Sequence, residues 1–193
     1  MKKSKHKEWT ILLIGPSGSG KGTQIEFLRK RIKNVRVIYP GKILRGLATR
    51  STMASKYLLP YLQKGLLVPG WLASFTWMNV LFGEAEEGEN LIFDGTPRQV
   101  SEAKLLDEVI KWYERPLPVA IFIEIGPKEA WKRLLERGRF DDTELAIQER
   151  LKFFHKNVLP VVRYYEKRRR LIRVDGEQSE KKVAEDIRKA LRL

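Results

Sequence analysis

The chain has 193 residues, 42% of them apolar and including five Trp and eight Phe, which suffices for the core of one globular domain and excludes a disordered polymer. It contains no cysteine, so disulfide scaffolds, thiolate metal sites and cysteine nucleophiles are ruled out, and a cytoplasmic protein is expected. A formal charge of +14 points to polyanionic partners without choosing among nucleic acid, lipid headgroups and small phosphorylated molecules.

Residues 1–7 are basic, but the apolar run that follows is too short for a signal sequence, and no other segment is long enough to cross a bilayer. Thr10-Ile11-Leu12-Leu13-Ile14 is a near-continuous apolar run closed by glycine, the pattern of a strand buried on both faces of a parallel sheet. Gly15-Pro16-Ser17-Gly18-Ser19-Gly20-Lys21-Gly22-Thr23 follows. Phosphates need donors that converge without side-chain bulk, and a glycine-rich turn aimed at a helix N-terminus supplies backbone N–H groups together with the positive end of the dipole. Lys21 is placed to reach the β- and γ-phosphates of a nucleotide. The generic form of such a loop has Ser or Thr directly after the lysine; here Gly22 takes that place, and the hydroxyl suited to magnesium comes one residue later at Thr23. A helix is predicted over 24–33.

Val35 to Tyr39 reads as a second strand, and the stretch from Gly41 to Gly88 as an all-helical insertion, since it holds several helical patterns and no strand. Within it Trp71, Phe75, Met78 and Phe82 recur at helical spacing and are expected to be a buried aromatic stripe. Leu91-Ile92-Phe93 is the third strand, ending at Asp94-Gly95-Thr96-Pro97-Arg98. A carboxylate at a strand's carboxyl end beside a phosphate loop is placed to hold a hydrated magnesium, and Arg98 sends a guanidinium into the same crevice. Val119 to Ile125 is the fourth strand. Arg133 and Arg137 then lie four apart on one helix face, Arg139 follows in a turn, and Arg150 stands on the next helix. Planar guanidinium groups are suited to spreading the charge of a phosphoryl group in transfer. Ile147, Leu151, Phe154, Val158, Val161 and Tyr165 predict one amphipathic helix from about Thr143 to Arg170, kinked at Pro160 and ending in the solvated cations Lys167 to Arg170. Leu171 to Val174 is a fifth strand. The expected fold is α/β, a doubly wound parallel five-stranded sheet with a phosphate loop, in one domain over 1–193.

These residues resemble the adenylate kinase and pyrimidine nucleoside monophosphate kinase family. Gly18-Ser19-Gly20-Lys21-Gly22-Thr23-Gln24 matches that family's variant of the phosphate loop, in which glycine does follow the lysine. Asp94-Gly95-Thr96-Pro97-Arg98 is similar to its Asp-Gly-Phe/Tyr-Pro-Arg motif, Lys64 to Pro69 to its base-binding segment, and Arg133 to Arg150, with Asp141-Asp142, to its lid region. The resemblance runs from about Thr10 to Leu191. It implies a kinase that moves the γ-phosphoryl of ATP to a nucleoside monophosphate with Mg2+; the acceptor would be AMP, with GMP or a pyrimidine monophosphate as alternatives. The insertion over about 41–88 would bind the monophosphate, and about 137–143 would be a very short lid.

Carried over residue by residue, the resemblance gives Gly18, Ser19, Gly20, Lys21, Gly22, Thr23 and Arg133 to ATP. Gly41, Arg45, Leu67, Val68, Arg98 and Glu102 go to the acceptor, and Asp94 through water, with Thr23, to the metal. Lys21, Arg98, Arg137, Arg139 and Arg150 would be the catalytic cations. Three departures stand out. Pro40-Gly41-Lys42 replaces a Thr-Gly-Asp triplet; the lid lacks residues between Arg137 and Arg139, which predicts some ATP hydrolysis as a side reaction; and Glu102 replaces an adenine-reading glutamine, which would suit guanine's paired N–H donors. The readings weighed against this one are a kinase or ATPase acting on nucleic acid and a nucleotide-dependent binding protein without transfer activity. A monomer is expected, with neither nucleic acid nor membrane as partner.

Overall fold

The computed structural model describes residues 8–193, and the basic run over 1–7 lies outside them. Five strands, β1 (Thr10–Ile14), β2 (Val35–Ile38), β3 (Asn90–Asp94), β4 (Val119–Glu124) and β5 (Leu171–Asp175), form one sheet in the order β2-β3-β1-β4-β5. Every pairing is parallel, with Leu12 opposite Phe93 on one side and Ala120 on the other. The connections are helical: α1 (Lys21–Arg29), α2 (Pro40–Ala48), α3 (Met53–Gln63), α4 (Gly70–Gly83), α5 (Val100–Trp112), α6 (Pro127–Arg137), α7 (Glu144–Phe153), α8 (Leu159–Lys167) and α9 (Glu180–Leu191). The doubly wound parallel sheet read from the sequence is therefore present.

The two-residue period of a strand divides the core into two layers. Leu12, Ile14, Leu91, Phe93, Ala120 and Phe122 face α4, α5 and α8, while Ile11, Leu13, Ile92, Ile121 and Ile123 face α1 and α9. Because both faces are covered, the middle positions of β1, β3 and β4 are apolar without alternation, and polar residues stand only at their ends, at Thr10, Asn90, Asp94 and Glu124. The three helices between β2 and β3 enclose a small core of their own from Leu44, Ala48, Leu58, Val68 and Ala73.

Two local expectations are corrected. Trp71, Phe75 and Phe82 are not core residues; they are exposed, and the buried face of α4 carries Ala73, Trp77, Val80 and Leu81. That helix is apolar on both sides, so helical spacing alone could not say which side faces inward, and Trp77 won by stacking edge-on against Phe93 at 6.4 Å. The long helix over 143–170 is likewise two helices joined by a π-helical stretch, Phe154–Val158, in the turn preceding Pro160. Proline has no N–H and crowds the preceding turn, and here Leu159 donates five residues back to the carbonyl of Phe154, so the turn widens.

Phe93 is fully buried at the centre of this packing. Phe93→Ala is expected to cost about 3–5 kcal/mol, read as a lower urea midpoint with an unchanged slope.

Candidate active site

Helix α1, which follows β1, lies on one face of the sheet, and α5, which follows β3, lies on the other. The carboxyl ends of these adjacent strands thus meet at a topological switch point, where open parallel sheets form their crevices. A cleft of about 1290 Å3 opens there, larger than the roughly 300–1,000 Å3 that one small ligand takes.

The phosphate loop is built by close backbone approaches. A Cβ at Gly15 would stand 2.6 Å from the carbonyl oxygen of Ile123, and one at Gly18 would stand 3.0 Å from that of Ala130. Gly18 and Gly20 both have φ of 86°, a left-handed conformation that glycine alone adopts freely. Gly20 caps α1 without a side-chain bond, so the first N–H groups of that helix stay available to an anion.

Lys21 curls back over the loop, and its Nζ donates to the carbonyls of Gly15 at 3.0 Å and Pro16 at 2.8 Å. Burial of the ammonium lowers its pKa to about 8; Asp94 opposes the shift, while Arg98, Arg137 and Arg139 add to it. Arg45 faces the same crowd. Burial depresses it, Asp141 opposes, and Arg137, Arg150 and Arg98 add to the depression. Arg98 and Arg137 therefore lie within electrostatic reach of both Lys21 and Arg45. Gly41 lies beside this convergence, where a Cβ would come into ordinary contact with Arg45 Nη1 at 3.5 Å and Arg98 Nη2 at 3.9 Å.

So many cations in one cleft require counter-charges, and two adjacent carboxylates supply them. Asp142 accepts from Arg137 through Nε at 2.8 Å and Nη2 at 2.7 Å, and also from Arg150 Nη1 at 2.5 Å. Asp141 accepts from Arg150 Nη2 at 2.7 Å. Burial acts to raise the Asp142 carboxyl, but the bonds from Arg137 and Arg150 outweigh it and hold the group below its ordinary range. Asp141 keeps its other oxygen, Oδ1, buried without a partner.

Of the residues singled out from sequence, Gly18 to Thr23, Gly41, Arg45, Val68, Asp94, Arg98, Arg133, Arg137, Arg139 and Arg150 all line this cleft. Arg133 pairs with Glu129 at 2.6 Å along α6. Two do not line it. Leu67 is half-buried beside it, and Leu66 takes the cleft-facing place. Glu102 is almost fully buried behind it, and its oxygens accept from Trp77 Nε1 at 3.2 Å and from the Arg98 backbone N–H at 2.6 Å. A carboxylate so engaged has no oxygen turned to a base in the cleft, in contrast to the role expected for it. Sequence reasoning also passed over Gly176, Gln178, Ser179 and Glu180, which form one wall of the cleft. The available signal was Asp175-Gly176, which closes the fifth strand at the same edge as the other functional loops.

The sequence profile of the family described as Adenylate kinase matches residues 13–170. The chain belongs to the adenylate kinase family. It is 33% identical to an adenylate kinase of Azobacteroides pseudotrichonymphae over 92% of this chain and 94% of that one. An adenylate kinase of Thermus thermophilus is 34% identical over 94% and 96%, and adenylate kinase 1 of a Nostoc species is 30% identical over 94% and 97%. As a family member the chain is a phosphotransferase that acts on nucleoside monophosphates with ATP as co-substrate, and Mg2+ is the usual metal. Among the described residues no helix is long and apolar enough to cross a membrane.

The depressed Lys21 gives this adenylate kinase family member a testable pH dependence. The ammonium attracts phosphate and the free amine does not, so the affinity for ATP is expected to fall as pH rises past about 8. Calorimetric titration between about pH 7 and 9.5 checks this, and Lys21→Arg should flatten the profile because its guanidinium stays charged throughout.

Proposed function

We propose that this chain transfers the γ-phosphoryl group of ATP to AMP. The observation that carries the reading is the pair of anion sites in one cleft, Lys21 with its loop and Arg45 with Gly41, joined by Arg98 and Arg137, which act on both. A nucleotidase or a one-ligand binding protein needs only the first of these. AMP is favoured by the relatives, whose shared description is adenylate kinase.

In this reading the amides of Gly18 to Thr23 and Lys21 hold the phosphates of ATP, and Arg133 covers its base. Arg45 and Arg98 grip the acceptor phosphate, with Gly41, Leu66 and Val68 around the acceptor. Arg137, Arg139 and Arg150 draw in on the transferred group, and residues 137–143 act as a short lid. Asp94 and Thr23 would hold Mg2+. Among the described residues no cluster of three His, Asp or Glu side chains is suited to a metal, and a lone carboxylate and a hydroxyl fit Mg2+, which keeps several waters and takes phosphate oxygens as ligands. The metal would neutralise phosphate charge in the transfer. Positioning and electrostatics supply the rate, with no covalent intermediate. A cytoplasmic enzyme fits this reaction.

A coupled assay with ATP, Mg2+ and each of AMP, GMP, CMP, UMP and dTMP is expected to show the highest kcat/KM with AMP; no transfer to any of the five would reject the proposal.

Glu102 acts on the acceptor site through Arg98 in this reading, because its Oε2 fixes the Arg98 amide. In Glu102→Gln either the Arg98 N–H or the Trp77 indole N–H faces an amide NH2 instead of an oxygen, and a buried unpaired donor costs about 1–3 kcal/mol. Activity is expected to drop on the order of tenfold with every acceptor while their ranking stays the same. A changed ranking in the five-acceptor assay would show that residue 102 touches the base.

A further inference from the structure

A second cavity, of about 360 Å3, lies in the groove between α1 and α9. Its volume falls within the roughly 300–1,000 Å3 of small-molecule sites. The walls are of two kinds: Phe27, Leu28 and Ile187 are apolar, while Arg31, Lys181 and Arg188 are cationic. The carboxylate in the lining, Glu185, is engaged by Lys189 at 2.7 Å. Among the described residues neither Arg31 nor Lys181 has an ion pair, and Arg188 donates from Nη1 to the Leu193 carbonyl at 2.9 Å. Lys30 adds a further cation at the rim, 5.8 Å from the centre of the Phe27 ring. Cations left without counter-charge beside apolar surface suit an organic anion.

The groove also has a direction. Helices α1 and α9 each follow a strand of the same parallel sheet and cover the same face of it, so they run the same way. Gln24 meets Glu180 where both helices begin, and seven or eight residues further on come Arg31 and Arg188, about 10 Å along the axis. The two guanidinium groups therefore share one end of the groove, Lys181 stands at the other, and Phe27 lies between. A phosphate monoester attached to a flat ring matches that order, with the phosphate at the guanidinium groups and the ring along Phe27 and Leu28.

Gln24 connects this groove with the catalytic cleft. Its residue is 2% exposed and lines both cavities. Its Nε2 donates to the Glu180 carbonyl at 3.0 Å, which ties the first turn of α1, the helix that opens from the phosphate loop, to the wall from Gly176 to Glu180. The Oε1 of the same amide is buried without a partner, so the tie rests on one hydrogen bond. Lys181, the residue after Glu180, already belongs to the groove.

We propose that the groove between α1 and α9 is a second ligand site, for a phosphate monoester bearing a flat ring, and that its occupation tightens ATP binding. A ligand held by Arg31 beside α1 and by Lys181 and Arg188 on α9 clasps the two helices as the Gln24 bond does, and so steadies the phosphate loop against the opposite wall. Linkage makes the effect reciprocal: ATP tightens the groove ligand by the same factor. The coupling rests on the placing of ATP at the phosphate loop given above; the groove itself does not.

Flavin mononucleotide is the probe, because it joins a fluorescent flat ring to a phosphate monoester. Its fluorescence is titrated with the full chain alone, with excess ATP, and with excess AMP. The expected result is saturable quenching, a Kd that ATP lowers about fivefold or more, and binding of riboflavin, which lacks the phosphate, that is weaker by about tenfold or more. Arg31→Glu is expected to weaken the probe by about tenfold or more while kinase activity without the probe is retained, which shows that the variant folds. Lys104→Glu makes the same charge change on α5, across the sheet, and should leave probe binding as it was. In Gln24→Met the probe should still bind and the effect of ATP should vanish. Displacement of the probe by ATP or AMP would place it in the cleft and overturn the proposal, as would an absence of binding or equal losses in Arg31→Glu and Lys104→Glu. Probe binding indifferent to ATP overturns the coupling. A failure to phosphorylate AMP is read in the separate coupled assay and leaves the probe titration unchanged, so the two readings fail apart.

Discussion

All five strands run in one direction, and that constraint places every strand's carboxyl end, and the loop that follows it, on a single edge of the sheet. The phosphate loop follows β1, the Asp94 to Arg98 segment follows β3, and the wall from Gly176 to Glu180 follows β5, so three stretches far apart in the chain become sides of one cleft. Loops carry the chemistry here, but the sheet sets their distances. It can do so because both of its faces are buried under helices and its central strands have no polar side to turn outward.

The same edge gathers cations that repel one another. Lys21, Arg45, Arg98, Arg137, Arg139 and Arg150 share a cleft that desolvates several of them. Their repulsion is offset within the protein by Asp141 and Asp142, which tie Arg137 and Arg150 together across the turn between α6 and α7. It is relieved further by ligands that carry several negative charges, and a phosphoryl group in flight is such a species. Excess positive charge thus favours polyphosphate, and at Lys21 it adds to the burial that lowers the pKa.

Glu102 and α4 show how context redirects a residue. The family resemblance gave Glu102 a base-reading place, yet its carboxylate turns inward to Trp77 and the Arg98 amide. Burial raises its pKa, and the bonds it accepts only partly compensate. Trp77 belongs to α4, so the aromatic that decides which side of α4 is buried also engages the residue that fixes Arg98. One packing choice thereby joins Arg98 to α4.

By itself the sequence determined the parallel sheet, because four apolar runs closed by glycine or aspartate, with the β-branched run from Val35 to Tyr39, alternate with helical segments. It also determined the glycine-rich loop and singled out arginines that line the cleft, since glycine spacing and guanidinium clusters are legible locally. The stripe of Ile147, Phe154, Val158, Val161 and Tyr165 was legible for the same reason: one face of that segment is apolar and the other polar. Tertiary structure alone decided the rest. On α4 both faces are apolar, and only the position of Phe93 on the neighbouring strand selects Trp77 over Trp71 and Phe75. The direction of Glu102 depends on an indole 25 residues away in sequence, and the choice of Leu66 over Leu67 depends on how a turn seats Gly65 against Ala146, whose carbonyl oxygen would stand 2.3 Å from a Cβ there. Such outcomes are set by which surfaces meet, and no window along the chain contains both partners.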